Sequence, residues 1–364
     1  MIILKRKKRY KIKKIKVLIT LILSISTILL LFNAKDIITH IKLKYLDYNT
    51  NTIKILKDID IDITYYSKTL DNISNTKYFN KNNINYYLEI NYKDEENFLE
   101  NINKLIEIGY SVNDINIIYE KLNDVTLITN RDYNKNITNI LTSDYFKLDN
   151  LERYLDYKDD NAVLNVNMNL DYEFYTHDIE IDTIDNLVIV NKYYKLNKDY
   201  VPETYKLSSK YAINERQFLT KEAKEAFEKM CDAAREEKIN LYSGSGYRSY
   251  SYQNTLYNNR VKSDGLEYAN QTAAKAGYSE HQTGLAIDIT KNKRPDYLDS
   301  NDIEFKWLME NAHKYGFILR YPEGKEHITG YSYEPWHFRY ITVEIASILK
   351  EKNITYEEYV GMFK

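Results

Sequence analysis

The stretch SEHQTGLAIDI, residues 279–289, places a histidine, a glycine and an aspartate within an apolar segment. His281 and Asp288 are seven residues apart, so neither a regular helix nor a straight strand would bring both side chains to one face. A turn at Gly284, followed by a strand over residues 286–290, would do so, and the isoleucines that flank the aspartate would then point into the core. Asp288 is therefore predicted to face a site.

A second segment, EPWHFRY over residues 334–340, carries the matching groups. Its aromatic residues alternate along a predicted strand, which leaves His337 and Arg339 on the opposite face, while Glu334 lies just before the strand at a turn set by proline. Two imidazoles and one carboxylate are the donor set of a catalytic zinc site with one open position. Glu334 could then act as the base, because zinc lowers the pKa of a water to about 7.

The order and spacing of these strings resemble a known enzyme family. Residues 279–288 fit the pattern S-x-H-x-x-G-x-A-x-D, residues 334–337 fit E-x-x-H, and SGSGYRS over residues 243–249 precedes both. Together they resemble the VanY-type zinc D-alanyl-D-alanine carboxypeptidases, relatives of the lysostaphin and hedgehog peptidase group. The resemblance covers residues 187–345.

The resemblance implies a role for each matching position. It implies one Zn²⁺ per chain held by His281, Asp288 and His337, general acid/base catalysis by Glu334, and a substrate pocket that includes Gln253, Ser279 and Tyr321. It also implies a functional Arg248, for which there is a separate physical case, because a guanidinium suits either a terminal carboxylate or a developing oxyanion. The alternatives are a surface salt bridge for Arg248 and ordinary packing or surface exposure for Gln253 and Tyr321.

Composition limits the other classes of function. The chain has 364 residues, of which 43% are hydrophobic, which is enough for roughly two domains. A formal net charge of -2 gives no global field that would attract nucleic acid, so no nucleic-acid partner is predicted. Cys231 is the single cysteine, which excludes an intrachain disulfide and a thiolate metal cluster.

The N-terminal segment predicts export. Residues 1–16 hold nine lysines and arginines, and residues 17–34 hold no charge. This pattern predicts a basic cytoplasmic tail and a single-pass transmembrane anchor in a bacterial cell membrane, with the catalytic domain extracytoplasmic. A cleaved secretory signal and a buried helix of a soluble protein are the alternatives.

Two regions follow the predicted anchor. Residues 35–160 are predicted to be mainly helical, with a weak repeat in which residues 105–119 recur at 140–154, although chance in a low-diversity composition is an alternative. Any protein partner of this region stays unknown. Residues 161–364 are predicted to form the catalytic domain, with short strands near residues 163–168, 179–184 and 187–190 and an amphipathic helix over 219–236.

The predicted fold is therefore an α+β catalytic domain with a small antiparallel sheet that carries a zinc site, preceded by a mainly helical region and an N-terminal transmembrane helix. The predicted function is removal of the terminal D-alanine from peptidoglycan stem peptides. An L,D-carboxypeptidase or a peptidoglycan endopeptidase with the same site is an alternative. So is a non-catalytic wall-binding or sensory protein attached to the membrane.

Overall fold

The structure, a computed structural model, describes residues 2–57, 59, 63–74 and 76–364; the side chains of residues 2–15, 29, 32 and 33 lie outside the described part. The chain divides into two compact units, Met1–Thr142 and Ser143–Lys364. The second unit begins before residue 161, where the catalytic domain is predicted to start. The functional extent of that domain stays a prediction.

The described part of the first unit is helical, as predicted for most of residues 35–160. Its helices are α1 (Ile2–Tyr45), α2 (Thr50–Lys57), α3 (Lys68–Ile73), α4 (Ile84–Glu89), α5 (Phe98–Ile108), α6 (Val112–Lys121), α7 (Thr126–Thr129) and α8 (Ile137–Thr142). Helix α5 is followed by Gly109, whose φ of 111° lies in the left-handed region that favours glycine. Helix α6 begins with a capping box formed by Ser111 and Asp114. Local sequence signals therefore set the ends of these helices.

Residues 17–34, the predicted anchor, lie within α1. Among the residues that the structure describes, no helix is both long enough and apolar enough to cross a membrane. The prediction of a transmembrane helix is thus unsupported by the structure. The side chains of residues 29, 32 and 33 belong to the same segment and lie outside the described part.

The second unit mixes helices and short strands. In chain order they are α9 (Leu151–Asp156), α10 (Ala162–Asn167), β1 (Ile179–Glu180), β2 (Tyr194–Lys195), β3 (Tyr205–Lys206), β4 (Phe218–Leu219), α11 (Lys221–Glu236), β5 (Tyr242–Ser245), α12 (Tyr250–Asp264), α13 (Leu266–Thr272), β6 (Ala286–Thr290), α14 (Ile303–Asn311), β7 (Phe317–Leu319), α15 (Glu326–Thr329), β8 (His337–Tyr340), α16 (Val343–Lys352) and α17 (Tyr356–Phe363). The predicted amphipathic helix is α11, and its apolar face is buried.

Two predicted strands are wrong. Residues 163–168 largely form helix α10, because Val163 and Val166 are spaced for one helical face and are both buried. Residues 187–190 are an irregular segment. There the carbonyl of Val188 accepts a hydrogen bond from the guanidinium of Arg339 at 2.8 Å. A side chain thus satisfies a carbonyl that a neighbouring strand would otherwise have bonded.

The central sheet positions the site. Its four strands lie in the order β5-β6-β8-β7, every neighbouring pair is antiparallel, and Asp288 on β6 lies opposite His337 on β8. Ile287, Ile289 and Phe338 leave the other face of the sheet and enter the main hydrophobic core of the unit. The small antiparallel sheet is therefore confirmed, and strand alternation separates the core side chains from the polar ones.

A repeated hydrogen-bond arrangement joins helices within each unit. In the first, the Asn103 side chain donates to the carbonyl of Tyr78 at 2.8 Å and accepts from the side chains of Asn83 and Tyr87. In the second, the same arrangement is formed by Asn167, Tyr145, Asn150 and Tyr154. The first three residues have the same spacing in both sets, but the asparagine that accepts from the tyrosine follows it by 16 residues in the first set and by 13 in the second.

Candidate metal centre

Three side chains, His281, Asp288 and His337, converge as predicted, and we call them the metal group. Each is buried, and one potential ligand atom from each lies within 4.8 Å of the others. The Nε2 atom of His281 lies 3.4 Å from Oδ1 of Asp288, and Nδ1 of His337 lies 2.9 Å from the same oxygen. A single ion could therefore contact all three residues.

The local backbone brings the metal group together. His281 lies in a 3₁₀ turn, Glu280–Thr283, that ends at Gly284, where φ is 72° and the backbone is left-handed. This turn reverses the chain so that the histidine approaches the strand that carries Asp288. The third ligand comes from sheet register, since Asp288 and His337 are directly opposed. The predicted turn and the predicted strand are both confirmed.

Burial and charge set the protonation of the first two ligands. Burial is the largest influence on His281 and, with the nearby Arg248 charge, lowers the pKa of that imidazole to about 4. Burial alone would raise the pKa of Asp288, but His281 and Arg248 bring it well below its usual value. At neutral pH the metal group thus contains a neutral imidazole and an ionised carboxylate, the forms that bind metals.

His337 differs from His281 in its protonation. Burial would lower its pKa, but Asp288 and Glu280 together raise the pKa to about 9. The imidazolium proton on Nδ1, which faces Asp288, is the one that a bound cation would displace.

Glu334 lies beside the metal group rather than within it. Its Oε2 atom is 3.7 Å from Nδ1 of His337, and its own backbone donates to the carbonyl of Tyr321. Burial, with a smaller contribution from Asp288, raises the pKa of Glu334 to about 7. A carboxyl with a pKa near neutrality can both accept and release a proton at physiological pH.

Arg248 contacts a predicted ligand. Its guanidinium donates to Oδ2 of Asp288 and to Oγ of Ser245, the latter at 2.9 Å. It stands just before α12 and lines the same cleft as Glu334. The structure thus places Arg248 at the site, as predicted, and rules out an isolated surface salt bridge.

The predicted pocket residues line the same cleft, which has a volume of about 980 Å³. Ser279 is buried, and the Tyr321 ring lies 4.8 Å from the ring of His337. Gln253 donates to the carbonyl of Ala274 at 2.8 Å, while its Oε1 atom is buried with no hydrogen-bond partner in the described part of the chain. All three lie where a substrate could touch them, and their roles stay predictions.

Other lining residues belong to no predicted set. They include Arg216, Tyr247, Tyr252, Arg260, Tyr297 and Trp336. Trp336 is next to His337, and strand alternation predicts that it points to the core. In the structure it also lines the cleft and packs on Tyr297, with ring centroids 6.1 Å apart. Trp336 directly precedes β8, where the alternation of side chains between the two faces of the sheet is least regular. That position is the one sequence signal that could have indicated its place in the cleft.

Comparison with known proteins identifies relatives of the second unit. A model of the VanY family, described as D-alanyl-D-alanine carboxypeptidase, matches residues 216–343. A candidate carboxypeptidase of Bacillus subtilis (strain 168), YodJ, is 38% identical over 205 residues, which are 52% of this chain and 75% of that protein. The bifunctional D-Ala-D-Ala dipeptidase and carboxypeptidase VanXYC of Enterococcus gallinarum is 36% identical over 185 residues, 48% of this chain and 94% of that protein.

A solved structure of the LdcB LD-carboxypeptidase is also similar. It is 36% identical, covers 53% of this chain and 99% of its own, and superposes with a TM-score of 0.47. The sequence relatives, matched over most of their own length, decide the assignment. The chain is an enzyme that belongs to the VanY family of D-alanyl-D-alanine carboxypeptidases.

Proposed function

We propose that this protein removes the terminal D-alanine from peptidoglycan stem peptides, with one zinc ion held by the metal group. The observation that carries the proposal is the arrangement of three buried donors beside a fourth, separate acid. Glu334 lies three residues before His337, with its carboxylate 3.7 Å from that imidazole, yet it is not one of the three converging donors. A metal-dependent peptidase needs both a ligand set and an independent proton acceptor.

The metal group fits zinc. Ligand atoms at about 2.0–2.2 Å from one tetrahedral zinc ion lie about 3.4 Å apart, and three protein ligands leave a fourth position open. The corresponding atoms here lie within 4.8 Å of one another. Two imidazoles and a carboxylate are also a donor set that zinc prefers.

Glu334 would carry the proton. When bound, zinc would polarise the scissile carbonyl and lower the pKa of the attacking water. Glu334 would take a proton from that water and deliver it to the leaving amine of D-alanine. In the metal-free protein burial raises the pKa of Glu334 to about 7, and the positive charge of bound zinc would favour the ionised form, which accepts the proton.

The cleft would bind and orient the peptide. Arg248 can hold either the terminal carboxylate or the charge that develops on the carbonyl oxygen. The buried Oε1 atom of Gln253 would accept a hydrogen bond from a peptide N–H, which would satisfy an otherwise unpaired polar atom. Ser279 and Tyr321 would complete the contacts near the scissile bond. The cleft, about 980 Å³ in volume, is the proposed binding site of the stem peptide.

The experiment combines the purified, zinc-loaded full chain with defined muropeptides and mass spectrometry. We expect loss of one alanine from pentapeptide stems, and about 10³-fold less product from a Glu334→Ala control that still binds zinc. Loss of alanine from tetrapeptides instead would assign an L,D-carboxypeptidase, and resolved dimers would assign an endopeptidase. No product from any substrate, with zinc bound, would contradict the proposal and favour a wall-binding role.

We also propose that the enzyme acts outside the cytoplasm, attached to the membrane of a bacterial cell through residues 17–34. The support is the sequence, in which a charge-free segment follows a basic one. The exposed apolar side chains of Leu30 and Leu31 agree with it. Protease accessibility of the second unit on intact protoplasts would test the proposal, and protection from protease would contradict it.

A further inference from the structure

One buried acid next to the site has no role in the proposed reaction. Glu280 precedes His281 in the 3₁₀ turn, and its side chain has no solvent exposure. It belongs to a cluster of four fully buried charges that we call the buried ion cluster: Glu280, Arg320, Arg339 and Glu357. An acid in such a place requires a physical reason, because burial of a charge is costly unless it is paired.

The two histidines of the metal group present different nitrogens to its centre. Nδ1 of His281 lies 2.7 Å from the carbonyl of Gly246, which can only accept, so Nδ1 carries the proton and Nε2 faces Asp288. His337 is turned the other way, because its Nδ1 faces both Asp288 and Glu334. The Nε2 atom of His337 therefore points out of the metal group.

That outward nitrogen faces Glu280. Nε2 of His337 is buried and has no hydrogen-bond partner in the described part of the chain, and Oε2 of Glu280 is in the same condition. The two atoms lie 3.8 Å apart. One is a donor and the other an acceptor, and a small movement would join them. A buried donor and a buried acceptor each require a hydrogen-bond partner, so these two atoms are complementary.

We propose that Glu280 is the outer hydrogen-bond partner of His337: it accepts the Nε2–H proton and so leaves Nδ1 as the metal-binding nitrogen. This inference rests on the proposed metal site. Glu280 is thus a positioning residue, which acts through His337 and touches neither metal nor substrate. The carbonyl of Gly246 has the same role for His281, because it accepts a hydrogen bond from the ring nitrogen that faces away from the metal group.

The rest of the buried ion cluster holds Glu280 in that orientation. Its Oε1 atom accepts from Nε of Arg320 and from Nη1 of Arg339, both at 2.8 Å. Two guanidiniums on one oxygen leave the other oxygen directed at His337. Arg320 is fixed in turn by two hydrogen bonds to Glu357, at 2.8 and 2.6 Å. The two arginines thus hold the Glu280 carboxylate in place through Oε1, the oxygen that does not face His337.

The test compares Glu280→Gln with Glu357→Gln. The glutamine oxygen at position 280 can still accept from the arginines, but its NH₂ then faces Nε2 of His337, which favours the tautomer with the proton on Nδ1. We expect zinc affinity, measured by chelator competition, to fall about 10- to 100-fold. Glu357→Gln also weakens the buried ion cluster but keeps Glu280, so its zinc affinity should change less than about threefold. Unchanged zinc affinity in folded Glu280→Gln protein would overturn the inference.

A second measurement covers the case in which Glu280→Gln does not fold. In zinc-loaded wild-type protein with ¹⁵N-labelled histidine, we expect His337 to carry a slowly exchanging proton on Nε2. A proton on Nδ1, or an Nε2 proton in fast exchange with water, would contradict the inference. Both measurements are independent of turnover. A protein that binds zinc as described here but releases no D-alanine would contradict the proposed function and leave the role of Glu280 standing.

Discussion

The metal group and the buried ion cluster are two sets of buried charges in the same unit, and they are balanced differently. In the buried ion cluster, Arg320 lies between Glu280 and Glu357, and each pair makes hydrogen bonds of 2.6–2.8 Å. Beside the metal group, the shortest ion pair of Glu334 among the described residues is its 3.7 Å contact with His337, and burial raises its pKa to about 7. Charges that are fully paired hold structure, while a charge left poorly paired at a cleft is available for chemistry.

The largest expected effect distinguishes the role of Asp288, a metal ligand, from that of Glu334, the general base. Asp288→Ala removes one of three donors and should lose zinc and activity together. Glu334→Ala should keep one zinc per chain and lower D-alanine release about 10³-fold, because general acid/base catalysis disappears. Zinc content by mass spectrometry and D-alanine release from a pentapeptide stem check both variants. Loss of zinc from Glu334→Ala, or retained turnover in it, would show that the two roles are misassigned.

The next effect concerns the buried ion cluster. Arg320→Met leaves Glu280 and Glu357 buried without their shared partner, which should destabilise the unit by about 3–5 kcal/mol. Urea denaturation of the metal-free protein, followed by tryptophan fluorescence, measures it, since the two tryptophans of the chain both lie in the second unit.

A surface pair is the matched control for that variant. Lys206 and Glu215 form an exposed ion pair at 2.8 Å. Lys206→Met should change the free energy of unfolding far less than Arg320→Met does. If both substitutions had the same small effect, the buried charges would not be holding the unit together, and the contrast drawn here would fail.

The sequence predicts the metal group better than it predicts the buried ion cluster. The alternation of Ile287, Asp288 and Ile289 requires only a strand, and the turn before it requires only Gly284. Glu280, by contrast, meets Arg320 and Arg339 from 40 and 59 residues away along the chain. No local pattern indicates such a contact, because it depends on how the sheet and its flanking turns pack.

Local sequence patterns also led to a wrong prediction where the same residues fit both the strand period and the helix period. Val163 and Val166 are β-branched, which favours a strand, but their spacing also suits one face of a helix, and the segment is α10. In a run this short, packing decides between the two. Here the side chain of Asn167, at the end of α10, donates to the carbonyl of Gly361 in α17 at 3.0 Å, a contact that sequence alone does not show.

A smaller effect appears in the pH dependence of the metal-free protein. Because burial raises the pKa of Glu334 from 4.5 to about 7, the folded protein binds more protons than the unfolded chain between these values. The contribution of Glu334 to stability should therefore fall as the pH rises from about 5 to 7, while His281, whose pKa is lowered to about 4, contributes in the opposite direction below about pH 6.5. Glu334→Gln removes this penalty and should stabilise the metal-free protein by about 3 kcal/mol at pH 8, with little effect at pH 4.

Urea denaturation in the presence of EDTA at the two pH values measures that difference. Glu334→Asp is the control, because it keeps an ionisable group and should recover little of the stability. If the wild-type protein and Glu334→Gln depended on pH in the same way, Glu334 would not be the strained acid at the site.

The smallest effect is a helix cap next to the buried ion cluster. Thr355 is the N-cap of α17. Its hydroxyl accepts a hydrogen bond from the backbone N–H of Glu358 at 3.1 Å, and the Glu358 carboxylate accepts one from the backbone N–H of Thr355. Thr355→Ala should cost about 1 kcal/mol in the free energy of unfolding, and Thr355→Ser should restore most of it. Zinc affinity should be the same in all three proteins, because Glu357 is held by Arg320 from the opposite side. A fall in zinc affinity with the cap alone would mean that α17 positions His337 through the buried ion cluster, and that the two sets of charges form one structural network.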